Sequence, residues 1–134
     1  MHLQILALIA VIAMASPAYP QNDWSFIKGK YAVSINDCKL LAKGRPFSKG
    51  LAKDLDSEVL TREGITSQRE THCRFRSSKK DAGAKAAWTV KAGCEELGKV
   101  SQEDLAVTAN ADGSLVVKSE DVFGDPLTFL PCPK

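Results

Sequence analysis

The sequence holds no C-x-x-C pair, no G-x-S-x-G elbow and no phosphate-cradling glycine loop. Each absence removes a class of chemistry. Without C-x-x-C there is no thioredoxin-like redox pair and no zinc ribbon, and without C-x-x-C-H there is no haem attachment point. The "GS" at Gly113-Ser114 belongs to a turn, and "GRPFSKG" lacks the P-loop spacing. A second long apolar run is also missing, so nothing beyond the first residues could span a bilayer, which takes about 20 apolar residues.

The one apolar run, Ile5 to Ala15, is too short to span and is followed by Ser16 and Ala18 at small-x-small spacing. This reads as a secretory signal over residues 1–18, cut after Ala18, although its start carries only the terminal amine and His2 as positive groups. No cysteine follows closely enough to take a lipid. Residues 19–134 then form one domain of about 116 residues, with neither methionine and with His72 as its single histidine. The expected location is periplasmic or secreted.

Four cysteines in a small exported domain argue for two disulfides. Three pairings are possible, and the local pattern favours one. Cys73, Phe75 and Ser77 alternate with His72, Arg74 and Arg76, while Trp88, Val90, Ala92 and Cys94 alternate with Thr89, Lys91 and Gly93. Period two marks both stretches as strands, and the polar "SSKKDAGA" between them can reverse the chain. In a hairpin of this register Cys73 faces Cys94, Phe75 faces Ala92 and Ser77 faces Val90. Cysteines directly opposite on antiparallel strands can bond, which leaves Cys38 for Cys132.

Elsewhere, Tyr31, Val33 and Ile35 predict a first strand, and Asp37 a cap for a helical turn through "CKLLAK" that Gly44 ends. Phe47, Leu51 and Leu55 at spacings of four suggest a short amphipathic helix. "SEVLTREGITSQRETHCRF" predicts a second strand, a tight turn at Glu63-Gly64 and one long third strand into Cys73. "EELGK" predicts a tight turn, with Ser101 capping a further helical turn. The clearest hairpin sets Leu105, Val107 and Ala109 against Leu115 and Val117 across a two-residue Asp112-Gly113 turn. "PLTFLPC" supplies the last strand. About seven short strands in hairpin order predict a mainly β fold, an antiparallel meander closing as a barrel or sandwich, with one or two helical turns.

Charge is uneven along the chain. From Lys28 to Lys91 there are 15 Lys and Arg against 7 Asp and Glu, whereas from Ala92 to Lys134 there are 3 against 8. Such a dipolar domain steers an anionic partner toward its basic side. Arg74, Arg76, Lys79 and Lys80, with His72 on the face of the arginines, are its densest part and the candidate partner-binding residues. The competing reading is a solvated sheet face. Nucleic acid is disfavoured, because stacking needs exposed rings beside the cations, and Phe75 and Trp88 share the cysteine face.

No cofactor or metal is expected, since oxidised cysteines leave only His72 and carboxylates as ligands. Catalysis has little to work with. His72 and Cys73 point to opposite faces of a strand, and Asp54, Asp56 and Glu58, at alternate positions, have the composition of a solvated loop feeding a strand. Gly29-x-Tyr31, an early cysteine, two cysteines around a Trp-containing hairpin and a terminal "PCPK" resemble small four-cysteine exported proteins of proteobacteria. Most of these are domains of unknown function, and the resemblance brings no functional residues. Size and pattern are also similar to those of periplasmic inhibitors of lysozymes or metalloproteases. The expected function is a non-catalytic extracytoplasmic binding module for an anionic protein or envelope component. The alternatives are an apolar-ligand carrier with a cavity in the barrel, or a periplasmic hydrolase inhibitor. The sequence leaves the oligomeric state open.

Overall fold

Period-two patterning resolves into eight strands that pair in chain order and close on themselves. The computed structural model describes residues 22–43, 54–68, 71–119 and 121–134. Strand β1 (Tyr31–Ala32) leads into helix α1 (Ile35–Leu41), and β2 (Glu58–Thr61), β3 (Gly64–Ser67), β4 (His72–Lys80), β5 (Ala87–Glu96), β6 (Lys99–Ala109), β7 (Leu115–Lys118) and β8 (Leu127–Pro131) follow. Every neighbour is antiparallel, and β8 pairs with β1 to complete a barrel. Closure leaves no strand edge to template aggregation.

The interior is filled by alternate residues of the strands. Leu60, Ile65, Cys73, Val90, Ala92, Leu105, Val117 and Phe129 are fully buried or nearly so. At one end the segment before β1 crosses the opening. Phe26 is buried against Trp88, with ring centroids 5.0 Å apart, and Tyr31 Oη donates to the Phe26 carbonyl while accepting from the Lys28 N–H. A second, smaller core lies outside the barrel, where Leu41 of α1 and Leu55 cover Ala32 and Val59.

Both disulfides pair as the alternation predicts, Cys73 with Cys94 inside the barrel and Cys38 with Cys132 between α1 and the tail after β8. By loop-closure entropy they contribute about 3 and about 5 kcal/mol.

Several local expectations are corrected. Cys73 faces Cys94 and Phe75 faces Ala92, but Ser77 faces Lys91 and Ser78 faces Val90. A β-bulge at Arg76 inserts one residue and shifts the register beyond it. The long third strand is two strands, β3 and β4, reversing after Ser67 and pairing with each other. Strand β1 stops at Ala32 because the helix begins: Ser34 is its N-cap, its side chain accepting from the Asn36 N–H. Asp37 is instead fully buried in the first turn, where it accepts from the N–H groups of Asp56 and Ser57 at 2.7 and 2.9 Å.

Ser101 caps no helix, since it lies within β6, opposite Cys94. The turn with two successive positive φ angles is Leu97-Gly98, which joins the paired Glu96 and Lys99. Asp112-Gly113 belongs to a longer loop, closed by the Asn110 N–H donating to the Ser114 carbonyl. Gly44, Phe47 and Leu51 lie outside the described residues.

Candidate functional site

The outer face of β4 carries the basic residues, and the bulge decides how they are presented. Before it, Arg74 faces Gly93 of β5, and beyond it Lys79 faces Thr89. Both cations are exposed, as is Arg76 at the bulge itself. The Arg76 guanidinium lies on the surface left bare by Gly93: a Cβ there would stand 2.8 Å from Nη2 and 3.0 Å from Nε. The glycine thus makes room for a flat cation against the sheet. Arg74 faces the same β5 residue across the strands, so two arginines share this outer face, and guanidinium groups suit the paired oxygens of a carboxylate or phosphate.

Lys80 is placed differently. It faces Trp88, whose ring belongs to the interior, and its Nζ lies 5.7 Å from the indole centroid at the mouth of the barrel, within cation–π range. The four cations predicted from sequence therefore divide into an outer-face trio and one end-of-barrel lysine. His72 stands near the start of the same face, its Nδ1 hydrogen-bonded to Thr66 Oγ1. Thr66 is fully buried, so this contact ties β4 to β3.

The strip ends where β6 brings acid. Lys91 of β5 lies 3.6 Å from Asp104 of β6, both side chains about two-thirds exposed, so the pair contributes at most about 1 kcal/mol. Beyond it a groove of about 840 Å³ is lined by Gln102, Glu103, Asp104, Lys118 and Asp121. The charge asymmetry of the sequence thus becomes a boundary between neighbouring strands.

At the far side of the barrel mouth, Arg62 caps Trp24 with its Cζ 3.6 Å from the ring centroid, and Trp24 stacks on Phe75 at 5.9 Å. Phe75 is therefore half-buried under Trp24 while Trp88 is buried. The carboxylates considered for catalysis are divided between loop and strand. Asp54 and Asp56 are exposed ahead of β2, and Glu58 opens the strand with its carboxylate bonded to Ser57 Oγ. Among the described residues no three Cys, His, Asp or Glu side chains group as metal ligands, and no helix is long and apolar enough to cross a membrane.

Sequence reasoning missed the role of Gly93. A glycine inside an otherwise regular strand signals close approach of another group, and that signal was present. The tight turn predicted at "EELGK" is present as Leu97-Gly98, but nothing in the side chain of leucine announces that it takes the first positive φ angle there. No family model matches the chain, and neither a curated protein nor a solved structure matches it.

Proposed function

We propose that this chain is a non-catalytic extracytoplasmic binding module, periplasmic or secreted, that engages an anionic protein or envelope component. The contact is made through the outer face of β4, centred on Arg74, Arg76 and Lys79. The observation that carries this reading is the bulge at Arg76 with its guanidinium laid over Gly93. Bulges re-aim side chains at functional positions, and here the insertion turns Lys79 outward beside the two arginines and takes Lys80 off that face.

Two further features support it. A pair of disulfides suits an oxidising compartment. The barrel interior is occupied by side chains, which favours contact on the outer surface over carriage of an apolar ligand within.

The test is affinity capture from envelope and secreted fractions by oxidised protein. A variant carrying Arg74→Glu, Arg76→Glu, Lys79→Glu and Lys80→Glu is run beside it. The reading predicts a partner retained by the native surface and lost by the variant, at nearly equal melting temperatures. Equal retention by both at physiological salt contradicts it.

A further inference from the structure

The hairpin of β5 and β6 projects beyond the rest of the barrel, with every residue from Glu95 to Gln102 exposed. Its tip is Leu97, at φ 49° and 81% exposed. Left-handed backbone crowds a leucine Cβ against the following carbonyl, and two-residue turns of this kind favour Asn, Asp or Gly. Leu97 is thus costly to the fold and nearly without burial in return. Glu95 and Glu96 precede it, and Val100, 66% exposed, follows on the same hairpin. The tip is an apolar knob with two glutamates on its β5 side and Lys99, opposite Glu96, on its β6 side.

At the other end of the barrel lies its complement. A cleft of about 510 Å³ is walled by Tyr31, Ala42, Pro131, Pro133 and the Cys38–Cys132 disulfide, with Lys28, Lys30 and Lys134 also lining it. The Lys30 ammonium is held by the Leu41 carbonyl at 2.9 Å. Strands alternate in direction around the meander, so the β5–β6 turn opens at the end opposite that where β1 begins and β8 finishes. Knob and cleft of one chain therefore cannot meet each other.

We infer that copies of this chain associate head to tail, with Leu97 of one copy seated in the lysine-lined cleft between β1, β8 and α1 of the next. Glu95 and Glu96 face the lysines across the contact. Such a contact joins two different surfaces, so it propagates rather than closing as a symmetric dimer. It shares no residue with the Arg74, Arg76 and Lys79 face and stands independently of that proposal. One leucine in a small cleft makes a weak, concentration-dependent interface.

Sedimentation velocity on the oxidised protein over a wide concentration range, at low salt, tests the inference. The expected result is a mass that rises with concentration beyond the dimer. Leu97→Asn destroys the knob and keeps the cleft, and Lys28→Glu with Lys134→Glu destroys the cleft and keeps the knob. Each variant alone should associate at least about tenfold more weakly. Mixed, they should form a one-to-one dimer and nothing larger, because each retains one competent half. Leu97→Asn should also melt no lower than the parent, which distinguishes a lost contact from a damaged fold. A monomer at every concentration overturns the inference, as does association that survives both variants or a mixture that forms no dimer.

Discussion

The guanidinium of Arg76 rests on Gly93, in space that any side chain at that position would claim. Gly93→Ala places a methyl group against the end of a flexible arginine, which can swing away at little cost. Alanine also removes the conformational freedom that glycine brings to an unfolded chain, worth about 0.5–1 kcal/mol in a strand interior. The variant should therefore melt at or above the parent temperature while binding the anionic partner less well. Thermal denaturation beside a binding isotherm checks this, and a loss of stability without a loss of binding counts against the assigned role.

Gly64 provides the contrast. At φ 148° it abuts β4, and a Cβ there would lie 1.9 Å from the Cys73 carbonyl oxygen. That neighbour is backbone in a barrel strand and cannot yield. Gly64→Ala should cost about 3 kcal/mol or more, measured as a lowered midpoint in urea.

The two disulfides differ in exposure, and their chemistry should follow. Cys73 and Cys94 are buried among the interior side chains, whereas Cys38 and Cys132 are half-exposed beside the cleft. Limiting reductant should open Cys38–Cys132 first, as read by alkylation and peptide mapping of the folded protein. Replacing that pair by serines should cost about 2–5 kcal/mol, because it frees the long loop between α1 and the last strand.

Asp112 titrates below the ordinary carboxylate value because Ser114 Oγ, and then the Ser114 N–H, donate to its charged form. A folded-state value below the unfolded one means the loop's contribution is fully present above the unfolded carboxylate pKa. It is lost as pH falls through the lowered folded value. Ser114→Ala should move the Asp112 titration upward, followed by NMR of the carboxyl carbon. An unmoved titration would remove the Ser114 hydroxyl as the leading cause.

Much of this was legible because it depends on period two alone. The strand alternation around Cys73 and Cys94 fixes which residues share a face, so the disulfide and the Phe75–Ala92 pair follow from it. What failed depended on contacts distant in sequence. The register beyond Arg76 shifts because one residue bulges, and composition does not announce a bulge. Ser101 is a competent helix cap that pairing with β5 holds in a strand. Ser34 and Asp37 are both capable N-caps, and burial of Asp37 against the Asp56 and Ser57 amides assigns it elsewhere. Asp112-Gly113 has the composition of a two-residue turn, yet Asn110 and Ser114 close a wider loop around it. Of the candidate site, the cations were visible as residues. The separation of Lys80 from Arg74, Arg76 and Lys79 was not, since it arises from the bulge.

That separation gives the most direct test of the binding account. Capture by a variant with Arg74→Glu, Arg76→Glu and Lys79→Glu is compared with capture by Lys80→Glu alone, both as oxidised protein at physiological salt. The account predicts that the triple reversal loses the partner and that the Lys80 variant retains it. Retention by the triple variant, or a loss caused by Lys80→Glu and not by the trio, would contradict it.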